Sequence, residues 1–261
     1  MTPDPDIAAC AGIVQKGDPD RFLAIMSGPV ALREKLFPLY AFNVEVARAP
    51  WVTQESMIAE MRLQWWLDAL DEIASGREVR RHEVTTPLAR VLTSYQAQRL
   101  TALVNARQWD IYDAPFENDD HFQRYLSDTS GLLLCVAAEI ANDSDEPINT
   151  DLIADVGMAD GLARWFQAIP ALENKGKRPL VDGRPEAVRQ LAANARGSLK
   201  SARHNLKVGK DVKAVLRSAW QADAVLKQVE HDPIRVANGD IALVEFHKKF
   251  SLLWRSLNAI W

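Results

Sequence analysis

Met61-Arg62-Leu63-Gln64-Trp65-Trp66-Leu67-Asp68-Ala69-Leu70 combines two adjacent tryptophans, three leucines and no helix breaker. At about 100° per residue, Leu63, Trp66, Leu67, Leu70 and Ala74 fall on one apolar stripe, and Met61, Trp65, Asp68 and Glu72 on another. The spacing predicts a helix from about Gln54 to Ser75, stopped at Gly76. Its first stripe calls for a core. Its second mixes aromatic and carboxylate groups, as the wall of a pocket between helices does. The plainer reading makes both tryptophans core residues and leaves Asp68 and Glu72 solvated beside Arg62.

Toward the N-terminus, Asp18-Pro19-Asp20 reads as a helix entry, with Asp18 as N-cap and Pro19 at the first position. Gly28-Pro29 ends that helix, and Leu32, Leu36, Leu39, Tyr40, Val44 and Ala47 mark the next, from about Val30 to Ala49. Beyond the tryptophan helix, the charged run Arg77 to Glu83 reads as a solvated loop. Helices follow near Leu88–Leu92, Gln96–Tyr112, Phe122–Ile140 and Asp151–Ala168, the last ended by Pro170. After an irregular segment, 173–185, come Glu186–Leu206, Val212–Gln228 and Asp240–Trp261. No β-type alternation and no internal repeat intervenes. The expectation is an all-α fold of about ten helices: one domain over 1–261, with a polar N-terminal segment, 1–16, ahead of a helical core from about residue 17.

Composition narrows the function classes. With 48% hydrophobic and 25% charged residues, the 261-residue chain can bury a substantial core. A formal net charge of -4 supplies no basic footprint, so no nucleic-acid partner is expected. Cys10 and Cys135 stand far apart, which fits a reducing compartment and no metal cluster. The start, Met1 to Asp6, lacks the pattern of a secretory signal, and no run of about 18 apolar residues spans a bilayer. The expected location is cytoplasmic, with contact to the inner membrane left open.

Chemistry-bearing patterns are few. Asp68/Glu72 and Asp151/Asp155 are carboxylate pairs at i,i+4, a spacing that can share a divalent cation; such pairs are also common on solvated helix faces. The five histidines, His82, His121, His204, His231 and His247, are scattered singly. Lys175, Lys177 and Arg178 around Gly176 form a basic loop suited to an anionic group or to solvent. The last helix carries Phe246, Phe250, Leu253, Trp254, Leu257 and Trp261 on one side. That pattern serves either an interfacial helix, contacting a membrane through Phe246, Phe250, Trp254 and Trp261, or a terminal helix docked on the core.

Four blocks in order carry a resemblance: Leu39-Tyr40-Ala41-Phe42, Arg62 through Leu70, Tyr125 to Gly131, and Gly157-Met158-Ala159 leading to Gly176-Lys177 and Leu180. Together they resemble the squalene/phytoene synthase family, from about Arg21 through Leu180. The resemblance implies a single-domain, isoprenoid-synthase-like helical bundle. It also implies magnesium held by two Asp-x-x-x-Asp motifs. Aligned without gaps, those motifs fall at Ala47 and Trp51 and at Ala168 and Leu172, so all four positions are uncharged. The family's arginine after the Tyr-Ala-Phe block falls at Val44, and its Asn and Arg before the second motif at Arg164 and Gln167.

Ionising an allylic diphosphate needs a cation cluster on the leaving group, and losing it costs several kcal/mol of transition-state stabilisation. Arg48 and Arg164 replace such a cluster only in part. The chain is therefore similar to the divergent branch without Asp motifs, which includes a mitochondrial assembly factor for respiratory complex I. The resemblance to that branch implies a non-catalytic protein with no cofactor, which binds a lipid or isoprenoid or a protein partner and takes part in assembling a membrane complex. The residues expected at the ligand are Tyr40, Arg48, Trp65, Arg164 and Lys177. The competing expectation is a magnesium-dependent prenyl-diphosphate transferase on displaced carboxylates, Asp68 and Glu72 first, with Asp151 and Asp155 behind.

Overall fold

Asp4 and Asp18 start the first two helices by one device. In the computed structural model, which describes residues 4–144 and 146–261, the Asp4 carboxylate accepts from the Asp6 N–H at the head of α1 (Pro5–Gly17). The Asp18 carboxylate accepts from the Arg21 N–H at the head of α2 (Pro19–Met26). Proline follows each cap, at a position where its missing N–H is not needed. The stretch expected as a polar N-terminal segment, 1–16, is thus helical from Pro5 onward; its first three residues lie outside the described ones. Its fully buried apolar residues are an i,i+4 pair, Cys10 and Val14, with Ile7, Ala11 and Ile13 partly buried beside them, where α1 packs on the helix after α2.

That helix is α3 (Val30–Arg48), followed by the tryptophan helix α4 (Ser56–Ala74), then α5 (Thr85–Val91) and α6 (Ser94–Ala106). α4 buries Leu63, Trp66, Leu70 and Ile73, and Trp66 meets the Phe42 ring edge-on at 5.4 Å. Its second stripe turns outward: Met61 is exposed, and Trp65 lies half-buried under the Arg80 guanidinium, 5.0 Å from its ring centre. The run Arg77 to Glu83 is less solvated than expected. Arg80 donates to Glu72 at 2.6 Å, Arg81 donates to Asp6 at 2.6 Å, and His82 packs against the Trp65 and Trp66 rings. The run is pinned because each of these cations finds a carboxylate on a neighbouring helix.

The stretch expected as one helix from Phe122 to Ile140 is α7 (Asp119–Leu126) and α8 (Leu132–Ala141), joined by a π turn over Ser127–Gly131. Such turns bulge a helix outward, and here the bulge presses on α9 (Thr150–Glu173). A Cβ at Gly157 would lie 2.6 Å from the Ser130 carbonyl oxygen, and one at Gly161 would lie 2.5 Å from Ser130 Oγ. Glycine is what allows that approach. The polar turn before α9 is described except for Asp145. α9 does not end at Pro170. It continues to Glu173 because Ile169 and Leu172 are both buried and the Pro170 carbonyl still accepts from the Asn174 N–H. Proline removes only its own donor, and close to a helix end the burial outweighs that loss.

The remaining helices are α10 (Pro185–Asn205), α11 (Lys210–Leu216), α12 (Ala222–His231), α13 (Ile234–Asn238) and α14 (Glu245–Leu257). The described residues therefore form fourteen α-helices and no strand, against about ten expected. The surplus comes from α1, from the π turn, from a 3-10 turn over Arg217–Ala219 that splits one expected helix, and from α13. Among the described residues, no helix is long and apolar enough to cross a membrane.

α14 is shorter than the expected 240–261, and it is mounted inside out. Toward the protein it turns Leu252, Lys248 (2.8 Å from Asp20) and Ser256, which donates to the Ser27 carbonyl at 2.8 Å. Away from it face Phe246, Phe250, Leu253, Trp254 and Leu257, each more than half exposed. Trp261 leaves this face: it lies beyond the helix, half-buried beneath the Arg203 guanidinium at 5.7 Å.

Candidate functional site: a chamber between α3 and α9

α3 and α9 are buried along much of their length, yet between them the small side chains Ala47, Ala168 and Gly161 leave space. They help to wall a chamber of about 410 Å³. Its apolar surface comes from Ala47, Trp51, Leu126, Leu133, Trp165, Ala168, Ala171 and Leu172. All four positions that the resemblance assigns to metal-binding aspartates thus face this space as Ala47, Trp51, Ala168 and Leu172. An alkyl or indole side chain offers no oxygen ligand to magnesium, so these residues do not fit the metal cluster. Among the described residues, no group of three His, Cys, Asp or Glu side chains is placed to hold a metal elsewhere.

Aromatic packing fixes one wall. Trp109 stacks on Phe116 at 4.1 Å, Tyr125 packs edge-on against Trp165 at 5.2 Å, and Trp165 Nε1 donates to the Pro179 carbonyl at 2.9 Å. Beside it, Tyr125 donates to Asp110 at 3.0 Å and accepts from Arg107 at 2.8 Å, and Arg107 also meets Asp110 at 3.2 Å. Burial raises the Asp110 carboxyl against the pull of Arg107, and burial likewise raises the Tyr125 hydroxyl.

The opposite wall is a four-membered ion network across α2 and α9. Asp18 lies 3.1 Å from both Arg21 and Arg164; Asp160 lies 2.9 Å from Arg164 and 3.6 Å from Arg21. Burial alone would raise the Asp18 carboxyl, but the guanidiniums of Arg164 and Arg21 hold it at about 2. Asp18 therefore caps α2 and ties it to α9. At the mouth, the Lys175 ammonium sits 4.1 Å from the centre of the Trp51 ring, a cation–π contact. Asn43, Ala47, Trp51 and Asp18 also border an outer groove of about 1030 Å³ that runs past Lys16, Arg48 and Glu83.

The residues expected at the ligand are dispersed. Arg164 lines the chamber. Tyr40 is buried behind its wall, with the Arg21 guanidinium 4.8 Å from its ring centre. Arg48 borders the outer groove, paired with Glu45 at 3.1 Å. Trp65 lines a separate pocket of about 320 Å³ with Trp66 and His82. Lys177 is buried, donating to the Tyr112 carbonyl and lying 3.4 Å from Asp113. None of the fallback carboxylates lines the chamber. Asp68 is exposed and accepts from Gln64; Glu72 is engaged by Arg80. Asp151 is exposed, while Asp155 is half-buried, its carboxyl raised by burial and by Asp151.

Residues that sequence reasoning does not single out carry most of the site: Asn43, Arg107, Asp110, Asp160 and Trp165. Two signals point to some of them. Asp160/Arg164 at i,i+4 and Arg107/Asp110 at i,i+3 are ion-pair spacings on helices.

The squalene/phytoene synthase family profile matches residues 14–180. Among curated proteins, the chain is 27% identical to a Drosophila melanogaster homolog of NADH dehydrogenase (ubiquinone) complex I assembly factor 6, over 95% of this chain and 82% of that one. It is 26% identical to the bovine and human complex I assembly factor 6 proteins over 62% of this chain, and spans only 48% of their length. Among solved structures, a ligand-bound dehydrosqualene synthase superposes with a TM-score of 0.67 at 14% identity, covering 97% of this chain and 96% of the other. Squalene synthase HpnC from Alicyclobacillus acidocaldarius superposes with 0.66 at 13% identity, covering 92% and 96%. At such identity the superpositions establish the all-α isoprenoid-synthase fold.

Proposed function

The chain belongs to the squalene/phytoene synthase family, and from that membership we propose a non-catalytic protein that keeps the ligand chamber and serves respiratory complex I assembly with a protein partner. One observation carries the first half: Ala47, Trp51, Ala168 and Leu172 line the chamber where a synthase of this family needs carboxylates. The chamber itself is of ligand size, within the range of about 300–1,000 Å³ typical of small-molecule sites. The similarity to complex I assembly factor 6 supports the second half. Depleting the protein in its native cell is expected to lower the amount of assembled complex I. Wild-type protein restores it; Ala168→Trp, folded but with the chamber filled, does not. Unchanged complex I on depletion removes the assembly role, and full rescue by the filled variant removes the chamber from it.

The outward apolar face of α14 supports a second element of this reading, peripheral contact with the inner membrane. A helix that turns Phe246, Phe250 and Trp254 to solvent, with His247 and Lys249 flanking them, has the form of an interfacial helix. In co-sedimentation with anionic phospholipid vesicles, Phe250→Asp combined with Leu257→Asp is expected to weaken binding at least about tenfold, since two large apolar anchors are lost. Equal sedimentation of variant and wild type rules this contact out.

A further inference from the structure

We infer that the chamber takes an isoprenoid or lipid chain with an uncharged, hydrogen-bond-donating head, an alcohol, and rejects a diphosphate. This rests on the ligand-binding reading above and specifies its chemistry.

The guanidiniums around the chamber are already engaged by carboxylates. Arg21, Arg107 and Arg164 reach it, but each is matched: Arg21 and Arg164 by Asp18 and Asp160, Arg107 by Asp110. A diphosphate entering here would meet the carboxylates of Asp18 and Asp110 along with those guanidiniums, both carboxylates being part of the lining. Lys175 stands only at the mouth, on the Trp51 ring. The outer groove is mixed in charge too, with Arg48 held by Glu45 and with Lys16, Asp18 and Glu83 all in its lining. Burying a multiply charged group without uncompensated cations or metal ligands is strongly unfavourable.

An unanswered polar group points to the same ligand class. Asn43 is 7% exposed, lines the chamber, and its Oδ1 has no hydrogen-bond partner among the described residues; in the same lining the Nε groups of Arg21 and Arg107 are also unpaired. Buried polar atoms in native proteins are normally paired, so orphaned polar atoms in the wall of a cavity mark where a ligand's polar atom belongs. The orphaned Asn43 atom is an amide oxygen, which accepts, so it calls for a head group that donates, a hydroxyl. The apolar wall from Leu126 to Leu172 then receives the chain. The site therefore offers a head-group partner and a tail sleeve, and its guanidiniums are engaged by carboxylates rather than free for a leaving diphosphate.

Three probes test this on the purified full chain: farnesol, its hydrocarbon counterpart farnesene, and farnesyl diphosphate with and without magnesium, each followed by calorimetry and native mass spectrometry. Farnesol is expected to bind at least about tenfold more tightly than farnesyl diphosphate in either condition. Asn43→Leu, close in size, is expected to weaken farnesol about tenfold, the value of one hydrogen bond in a buried site, and to leave farnesene binding unchanged. Retained farnesene binding also shows that the variant is folded. Preference for farnesyl diphosphate, or farnesol binding unaffected by Asn43→Leu, overturns the inference and leaves the ligand-binding reading standing. Binding of none of the three overturns both.

Discussion

Asp18→Ala is expected to destabilise the protein by about 3 kcal/mol, because it leaves the buried Arg21 and the half-buried Arg164 guanidiniums to share Asp160. For a chain of this size that corresponds to a fall in melting temperature on the order of 10 °C. The same substitution removes the α2 cap, worth about 1 kcal/mol. Asp18→Asn keeps an acceptor for the Arg21 N–H and is expected to recover roughly that 1 kcal/mol. The two variants thus separate cap from ion network.

The pH dependence has a definite sign. Asp18 is held at about 2 in the folded protein, below its ordinary 3.8. A depressed carboxyl contributes stability that is fully present above the unfolded value and is lost as pH falls through the folded one. The stability gap between wild type and Asp18→Asn should therefore be constant above about pH 5. It should narrow by on the order of 2 kcal/mol as pH falls from about 4 to 2. Asp110 opposes this trend, since burial raises its carboxyl and favours the protonated form at low pH. Because Asp110 is present in both proteins, the difference between them isolates Asp18. Denaturant titrations at several pH values measure it, and a gap that stays constant down to pH 2 would show that the network does not depend on the Asp18 charge.

The helical frame is legible in the sequence because its signals are local. The stripe of Leu63, Trp66 and Leu70 is set by periodicity alone, and it is the face that α4 buries. Asp18-Pro19 announces α2. Asp4-Pro5 announces α1 in the same way but more faintly, since its fully buried apolar side chains are only the small Cys10 and Val14. Pro170 misleads for a related reason: proline reads as a stop, while the burial of Leu172 that overrides it is a tertiary fact. The four apolar substitutions, Ala47, Trp51, Ala168 and Leu172, are legible through the family pattern, and the fold brings them to one chamber.

The rest of the site is not legible. Apolar periodicity is the same whether a helix faces packed side chains or an open space, so cavity volume leaves no trace in the sequence. Asn43 looks like any polar residue on α3 until its neighbours are known. Asp18, which reads as a cap alone, acquires its second role from Arg164, 146 positions away in the chain. Conversely, Trp65, Asp68 and Glu72 read together as a pocket wall; Trp65 does line a pocket, but Asp68 is exposed and Glu72 is held by Arg80, outside it.

The largest expected effect concerns the reaction itself. Loss of a prenyl diphosphate's leaving group creates concentrated negative charge, which a synthase must meet with preorganised cations. Here the four positions in question carry two methyl groups, an isobutyl group and an indole, and the guanidiniums in reach are neutralised by Asp18, Asp160 and Asp110. Each 1.36 kcal/mol of lost stabilisation slows a reaction tenfold, so a deficit of several kcal/mol removes catalysis by orders of magnitude. The direct measurement is a product assay: the purified full chain, farnesyl or geranylgeranyl diphosphate, and magnesium, with extraction and mass analysis of the hydrocarbon fraction. The expected result is no prenyl-coupled product above a protein-free control at any magnesium concentration. Magnesium-dependent formation of such a product, proportional to protein added, would contradict the reading of this chain as a retained chamber without the family's chemistry.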